Sequence, residues 1–269
     1  MSVANYLSNP VSRTLIIPLI IKAKESERPD GLFTDPAAQR AVADLPEGVR
    51  SISINTFMRI GTAIRVHYFD GLTRNFLNTR ENPVIVNLGC GLDTRFTRTD
   101  SEKGIHVNLD LPDVMALRKK ILLEPGERCI DWMGSILDRD WMDKLETEYA
   151  DSSFMFIAEG VLMFLEEEHV RKLVCDIAER FPDSRLAFDT VGGSVFKKIN
   201  RKSAVKQLTS SLLWSYDDDG SIDGWHGRLR RLECACYFNR FRTRWGIWSL
   251  MHHTPWGNGS LMHHFSVDA

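Results

Sequence analysis

The sequence predicts an α/β fold built on a mostly parallel sheet. From residue 83 onward, short apolar or β-branched runs alternate with helical stretches, which is the pattern of βαβ units. The first run, at residues 84–88, leads directly into a turn that contains Gly89 and Gly91. Residues 166–180 carry an amphipathic helix pattern with acidic residues in its first turn, and Pro182 follows it. Together these three features indicate a sheet whose strands are connected by helices.

The individual strands are predicted where the apolar runs occur. An alternation at Leu232, Cys234 and Cys236 indicates a sixth strand, and residues 261–267 the last one. The first five are predicted at residues 84–88, 105–109, 128–131, 154–158 and 186–189, of which 128–131 is the weakest.

The chain is predicted to form one domain, residues 1–269, in which a core carries several additions. Residues 1–80 are predicted to be a helical N-terminal extension, because apolar side chains such as Ile54, Phe57 and Ile64 recur near helical spacing. The core is predicted at residues 81–191 and an insertion at 192–228, and the final strands return to the core at 229–269.

Composition and charge argue against several classes of protein. The 34 basic and 36 acidic residues give a net charge of -2, whereas nucleic-acid binders usually carry a basic excess. The apolar run at residues 15–21 is too short to span a bilayer, contains Pro18 and has no small-residue cleavage site after it. We therefore expect a cytoplasmic protein without a nucleic-acid or membrane partner. The five cysteines are irregularly spaced, which predicts reduced, mostly buried thiols.

The glycine turn after the first strand is the strongest local signal. Gly89 and Gly91 would let the backbone approach a ligand closely. A dinucleotide-binding turn would need a third glycine at position 94, where this chain has Thr94, so the pattern argues against NAD. A Gly-x-Gly turn alone is a weak signal, and the strand before it raises the case for a nucleotide-like ligand.

Two acids follow other strands and strengthen that case. Asp110 ends the second strand at about the distance from the glycines at which an acid binds ribose hydroxyls in nucleotide-binding α/β folds. The alternative is that Asp110 caps the helix that begins near Pro112. Glu159 ends the fourth strand and would face the same crevice, and the alternative is a surface glutamate at a strand end.

Three motifs resemble a known family. Residues 89–96, 138–141 and 158–165 closely resemble the leucine carboxyl methyltransferase superfamily, nearest to its tetracenomycin polyketide O-methyltransferase branch. The resemblance extends to residues 14–36 and to Leu213, Trp214 and Trp225. It implies a Rossmann-like class I methyltransferase sheet with an antiparallel last strand, S-adenosylmethionine (SAM) as cofactor, and helical additions that form a lid over the substrate.

The resemblance also implies roles for individual residues. It places the cofactor backbone against Gly89 and Gly91, its ribose on Asp110, and its cationic methionine end near Glu159. Arg65 matches the arginine that grips the SAM carboxylate, to which a guanidinium fork is well suited, and the alternative is a solvated helix arginine.

Other positions of this sequence match the family's pattern less closely. Lys22 matches a residue that assists Arg65, although its helix matches loosely. Ser135 and Ile136 align with the pair that borders the adenine, although many relatives have an acid in place of Ser135. Phe164 stands where relatives often have tyrosine, so a hydroxyl that could touch cofactor or substrate is missing.

The implied reaction is methyl transfer to an oxygen of a small-molecule acceptor, a hydroxyl or a carboxylate. It is an in-line displacement, so the protein chiefly aligns the acceptor and excludes water. A hydroxyl acceptor would benefit from a general base, a role for which His67 is a weak candidate, and a carboxylate would need none.

The sequence leaves rival functions open. They are an NAD-linked oxidoreductase, a non-catalytic SAM-binding protein and a protein C-terminal carboxyl methyltransferase. The aromatic insertion, with Trp214, Tyr216 and Trp225, favours a flat small molecule over a chain terminus.

No metal is expected in this protein. The histidine pairs at residues 252–253 and 263–264 each offer one ligand easily and have no matching cysteine or acid spacing, and Cys234 and Cys236 are interpreted as core.

Overall fold

A computed structural model describes residues 10–123, 126–201, 211–254 and 259–269 of the chain. Residues 1–9 and 202–210, parts of the predicted N-terminal extension and insertion, lie outside the described residues. The strands are β1 (Pro83–Leu88), β2 (Ile105–Asp110), β3 (Cys129–Met133), β4 (Ser153–Ala158), β5 (Arg185–Val191), β6 (Leu229–Cys236) and β7 (Ser260–Val267).

Helices occupy most of the described N-terminal part and connect the strands. The helices are α1 (Pro10–Ser26), α2 (Pro36–Ala43), α3 (Glu47–Arg50), α4 (Thr56–Thr79), α5 (Arg95–Thr99), α6 (Pro112–Ile121), α7 (Asp140–Glu148), α8 (Glu167–Arg180), α9 (Gly193–Arg201) and α10 (Arg242–Trp245). Short 3-10 turns lie at Leu162–Phe164, Ser221–Gly224, Tyr237–Asn239 and Gly246–His253. No helix among the described residues is long and apolar enough to cross a membrane.

The seven strands form one sheet in the order β3-β2-β1-β4-β5-β7-β6. Strands β1 to β5 pair in parallel, whereas β7 runs antiparallel to both β5 and β6. The predicted fold class, including the antiparallel last strand, is confirmed. Every residue of β1 is buried, as expected for a central strand covered on both faces, and this explains its continuous apolar run.

Strand β6 differs from the simple alternation that its sequence predicts. A register shift relative to β7 lies between Arg231 and Glu233. Leu232, within this irregularity, is 51% exposed, while Cys234 and Cys236 are half-buried. A β-bulge changes which side chains face the core, so the predicted strand is present but Leu232 breaks the alternation from which it was predicted. Cys90 is buried and the other four cysteines are half-buried, so the expectation of mostly buried thiols holds for Cys90 only.

The two faces of the sheet carry different cores. One face packs apolar strand residues against α7, α8 and the insertion, and this core includes the fully buried Phe156 and Phe188. Trp214 and Tyr216 of the insertion are buried in the same core. The other face packs against α4 and against aromatic residues that follow β6, among them Tyr237 and Trp245. The insertion and α4 therefore cover opposite faces of the sheet.

Candidate active site

The carboxyl ends of β1, β2 and β4 meet at one edge of the sheet, and the glycine turn lies there. Gly89 and Gly91 have φ angles of +64° and +51°, a region that favours glycine. A Cβ atom at Gly89 would lie 2.7 Å from Val161 Cγ2, and one at Gly91 would lie 2.9 Å from Leu15 Cδ2. Both positions need glycine for conformation and for space, because Val161 and Leu15 pack directly against the turn.

Asp110 fastens this turn to the end of β2. Its Oδ2 accepts a hydrogen bond from the Gly91 amide at 2.7 Å, and its Oδ1 accepts one from the Leu111 amide at 2.7 Å. The N-cap of α6 is Leu111, so the alternative in which Asp110 caps this helix is wrong. Burial raises the pKa of the Asp110 carboxyl, although the two amides act in the opposite direction.

Glu159 is held between two arginines. Arg65 Nε donates to Glu159 Oε1 at 3.0 Å, and Arg95 Nη2 donates to Glu159 Oε2. The Glu159 side chain is 14% exposed, which excludes the alternative of a solvated surface glutamate. The acid predicted at the end of β4 therefore sits in an arginine clamp within the crevice.

Arg65 projects from α4 and also contacts β5. Its Nη1 donates to Asp189 Oδ2 at 3.0 Å, so one guanidinium bridges the ends of two strands. Burial alone would lower the pKa of Arg65, but the nearby Asp189, Tyr237 and Glu159 raise it well above its ordinary value. The Arg65 side chain is 16% exposed, so it is not a solvated helix arginine.

Lys22 reaches the same crevice from α1. Its Nζ lies 2.8 Å from Asp93 Oδ1, and the Lys22 side chain is 4% exposed. Arg95 Nη2 lies 3.4 Å from the other carboxylate oxygen, Asp93 Oδ2, and also contacts Glu159. Burial would raise the pKa of Asp93, and the neighbouring cations hold it well below its ordinary value.

These contacts form a continuous line of alternating charge across the strand ends, here called the ion-pair chain. Its members, in spatial order, are Lys22, Asp93, Arg95, Glu159, Arg65 and Asp189. Lys22, Glu159 and Arg65, which were predicted individually, are thus joined through Asp93 and Arg95, and the ion-pair chain ends at Asp189. These last three residues were not predicted.

The three site residues that were not predicted differ in how strongly sequence patterns indicate them. Asp93 and Arg95 lie inside the motif at residues 89–96 but had no assigned role. Asp189 lies near the carboxyl end of β5, where the strand-end rule could have found it. Its Oδ1 accepts the Gly160 amide at 2.6 Å, so it also orients the turn after β4.

A second set of buried ion pairs, centred on Arg98, packs next to the glycine turn. The Arg98 side chain is fully buried and pairs with Asp70, Asp93 and Asp35. Thr94 Oγ1 donates to Asp35 Oδ2 at 2.5 Å, which ties the turn to the start of α2. The residue that replaces the third glycine of a dinucleotide-binding turn therefore anchors the N-terminal helices to the sheet.

Ser135 and Ile136 lie where β3 ends, beside β2. The Gly134 amide donates to the Asp110 carbonyl at 3.0 Å, which holds this loop next to the glycine turn. Ser135 Oγ accepts the Leu137 amide at 3.1 Å, and Ile136 is 8% exposed. The pair thus offers a half-buried hydroxyl and an apolar side chain next to Asp110.

His67 and Phe164 lie apart from the ion-pair chain. The His67 ring packs edge to face on Phe241, with centroids 4.9 Å apart, and burial lowers the pKa of His67. Phe164 packs in a small apolar cluster with Met163, Val191 and Leu212. His67 is therefore engaged in aromatic packing, which fits the structural role rather than that of a base.

Aromatic side chains adjoin the ion-pair chain along α4. The Tyr237 hydroxyl donates to Asp189 Oδ2 at 3.2 Å, and a Cβ at Gly61 would lie 3.4 Å from the Tyr237 ring. One turn earlier, Phe57 packs edge to face on Trp248, with centroids 5.1 Å apart. We call the group of Phe57, Phe238, Trp245 and Trp248 the aromatic surface.

Part of the aromatic surface is open to solvent. Trp248 is 51% and Phe57 is 39% exposed. Trp214 and Tyr216, which the sequence suggested for contact with a flat acceptor, are 4% and 5% exposed in the core under the opposite face. Trp214 and Tyr216 therefore pack the core, and their positions do not support the prediction that they contact a flat acceptor. The aromatic surface, in contrast, lies beside the ion-pair chain.

The chain is similar to known methyltransferases. The family model for leucine carboxyl methyltransferase matches residues 16–178. A Parafrankia sp. (strain EAN1pec) protein named as an S-adenosyl-L-methionine-dependent methyltransferase is 31% identical over 81% of this chain and 75% of its own length. The tetracenomycin polyketide synthesis O-methyltransferase TcmP of Streptomyces glaucescens is 27% identical over 88% of this chain and 83% of its own length.

A solved structure shows the same fold. A protein from Thermobifida fusca YX, titled as a methyltransferase, superimposes with a TM-score of 0.57 and 14% identity over 97% of this chain and 96% of that one. The glycine turn, the acids at the strand ends and the match of the family model agree with one another. The chain belongs to the leucine carboxyl methyltransferase family.

Proposed function

We propose that this protein transfers a methyl group from SAM to an oxygen of a small molecule, a hydroxyl or a carboxylate on a polyketide-like aromatic compound. The SAM cofactor predicted from the sequence is confirmed by the family and by its relatives. The observation that carries the proposal is the ion-pair chain, which lies between the glycine turn and the aromatic surface. The relative that acts on oxygen in polyketide synthesis supports the choice of acceptor.

The residues at the crevice fit the cofactor. The methionine end of SAM carries a carboxylate, an ammonium group and a sulfonium, and the ion-pair chain offers partners of both signs. We assign the carboxylate to Arg65 and Lys22 and the cationic groups to the neighbourhood of Glu159. An alternating chain can exchange one of its own ion pairs for one with the ligand, so the charge stays compensated after binding.

The nucleoside part of SAM is assigned to the other end of the crevice. A carboxylate has four lone-pair positions, and the amides of Gly91 and Leu111 occupy two of those on Asp110. The other two positions can accept hydrogen bonds from two ribose hydroxyls. The bare backbone of Gly89 and Gly91 is assigned to the cofactor chain, and Ser135 and Ile136 to the adenine. Bound SAM supplies an electrophilic methyl group, and the protein orients it and excludes water.

We assign the acceptor to the aromatic surface. Phe57, Gly61 and Arg65 lie at successive turns of α4, so this surface continues directly from the ion-pair chain. Exposed aromatic faces bind flat apolar molecules by stacking and burial of area. Tyr237 bridges the two regions, since its ring packs on Gly61 and its hydroxyl donates to Asp189.

The proposal is tested by transfer of labelled methyl from SAM to a panel of acceptors. The panel contains phenols, aliphatic alcohols, aromatic carboxylates and a peptide with a C-terminal leucine. Alkali releases methanol from methyl esters and leaves methyl ethers intact, so the same assay separates carboxylate from hydroxyl acceptors. We expect label in an aromatic phenol or carboxylate. Transfer to the peptide alone would replace the proposal with protein carboxyl methylation, and SAM binding without transfer to any class would favour a non-catalytic SAM-binding protein.

A further inference from the structure

Three potential metal ligands meet on the face of the sheet that the insertion covers. They are Asp218 of the insertion, Cys234 of β6 and His263 of β7. One ligand atom from each lies within 4.8 Å of those from the other two. Cys234 and His263 are direct partners in the β6–β7 ladder, so the sheet holds the thiol and the imidazole side by side.

His263 is oriented as a metal-binding histidine would be. The residue is fully buried, and its Nε2 lies 2.9 Å from Thr190 Oγ1. Its Nδ1 is buried and has no hydrogen-bond partner within the described ranges, although such a nitrogen is costly to leave unpaired. Thr190 thus engages one ring nitrogen and leaves the other for a metal ion, as hydrogen-bond partners of metal-binding histidines do.

Asp218 has one carboxylate oxygen directed at the cysteine. Arg231 Nη1 contacts Asp218 Oδ1, and Cys234 Sγ lies 3.5 Å from Asp218 Oδ2. Burial and the Asp218 charge raise the pKa of the Cys234 thiol to about 12. Without a cation the thiol keeps its proton, and a bound cation would displace that proton because a coordinating thiol is deprotonated.

We propose that Asp218, Cys234 and His263 bind one zinc ion that fastens the insertion to β6 and β7. A mixed nitrogen, sulfur and oxygen set suits zinc, and water would complete four-fold coordination. Ligand bonds of about 2.0 to 2.3 Å require the three atoms to approach to roughly 3 to 4 Å, a small contraction from the present arrangement. Binding forms the sulfur–zinc bond and releases the Cys234 proton to solvent, so no oxidant or other reactant is needed.

This site is independent of the proposed methyl transfer. Its ligands lie on the face opposite α4, whereas Arg65, Glu159 and the aromatic surface are grouped around α4. Asp218 comes from the insertion, 16 positions before Cys234 in the chain. Neither histidine pair nor the spacing of Cys234 and Cys236 indicates a metal by itself.

Cobalt substitution tests the proposal in the full-length protein. Chelator-treated protein is titrated with Co²⁺ and read by absorption, because a cysteine thiolate on cobalt gives a charge-transfer band that oxygen and nitrogen ligands lack. We expect one equivalent of Co²⁺ with this band, displaced by one equivalent of Zn²⁺. Absence of the thiolate band in the wild-type protein overturns the proposal whether or not any variant folds.

Matched variants locate the site. We expect Cys234→Ser to abolish the thiolate band, and His263→Gln and Asp218→Asn each to weaken Zn²⁺ binding at least tenfold in competition with a chromophoric chelator. Cys175→Ser changes another half-buried thiol, on α8, and His264→Gln changes the adjacent histidine; both are expected to keep the wild-type affinity. A band that survives in folded Cys234→Ser, or that disappears in Cys175→Ser, contradicts the assignment.

Discussion

The two sides of the crevice are built from different chemistry. On the side formed by β1, β2 and β4, the charged groups at the strand ends hold defined ion pairs or amide hydrogen bonds, as in the contacts of Asp110 and Glu159. On the side that follows β6, the surface is aromatic and partly solvated, with Trp248 half exposed. The first side is organised before a ligand arrives, whereas the second offers apolar area without comparable polar constraint.

The difference has a physical basis. Buried ion pairs are costly to desolvate and stabilise a protein little compared with apolar packing, so a line of them at a strand edge indicates a ligand of fixed charge pattern. An aromatic surface gains binding energy from area and tolerates variation in the molecule that covers it. We infer that the cofactor side determines which methyl donor binds, and that the aromatic side determines which methyl acceptor binds.

The largest expected effect is loss of cofactor binding in Asp110→Ala. Two charge-assisted hydrogen bonds to ribose contribute about 3 to 6 kcal/mol, so SAM affinity should fall at least about 100-fold in titration calorimetry. Asp113→Ala removes an exposed acid in the first turn of α6 and serves as the control. Wild-type SAM affinity in folded Asp110→Ala would remove Asp110 from the site.

Acid should destabilise the sheet through the buried, neutral His106. Burial lowers the pKa of His106 to about 4. Since the unfolded chain binds protons near pH 6.5, this stability is present above that pH and is lost as the pH falls towards 4. For His106 the loss is on the order of 2 to 3 kcal/mol.

Denaturant unfolding at several pH values measures how the free energy of unfolding depends on pH. Both ring nitrogens of His106 lack hydrogen-bond partners among the described residues, and the ring packs edge to face on Phe96. His106→Phe should therefore flatten the fall in the free energy of unfolding between pH 6.5 and 4. His169→Phe, at an exposed position of α8, should keep the wild-type slope, and an unchanged slope in His106→Phe would show that other groups cause the acid sensitivity.

A smaller effect is expected for Arg65→Met. Loss of the guanidinium fork should weaken SAM binding by about 1.5 to 3 kcal/mol, or roughly tenfold to 100-fold. Methylthioadenosine, which lacks the carboxylate, should lose much less affinity. Arg74→Met, at an exposed position of the same helix, is the matched control. Equal losses for both ligands would mean that Arg65 supports the fold and does not bind the carboxylate.

The smallest effect should come from the aromatic side. Trp248→Ala should raise the acceptor KM several-fold, about 1 kcal/mol, and leave SAM affinity unchanged. The reason is that the Trp248 indole is half exposed and packs against Phe57 of α4, on the aromatic side of the crevice. Leu123→Ala removes another exposed apolar side chain, after α6, and should alter neither constant. A change in SAM affinity with constant acceptor KM would reverse the assignment of the two sides.

Sequence patterns predicted the sheet best where strands are buried on both faces. The runs at β1, β2, β4 and β5 are apolar because helices or the insertion cover them, and their positions agree with the structure within a few residues. The bulge in β6 escaped prediction, since the pairing with β7 decides which residues face the core. Asp189 lay at the end of a predicted strand, but its pairing with Arg65 was not predictable, because Arg65 belongs to a helix more than a hundred positions earlier.

Local patterns were enough to predict the fold, the family, and the positions of the glycine turn and of the acids at the ends of β2 and β4, because strand periodicity and local motifs are short-range signals. Three-dimensional packing was needed to show that Lys22 pairs with Asp93, that Arg95 is shared between two acids, and that the insertion brings Asp218 to Cys234 and His263. Such contacts join residues far apart in the chain, and their geometry depends on how helices and strands pack, which no local pattern records.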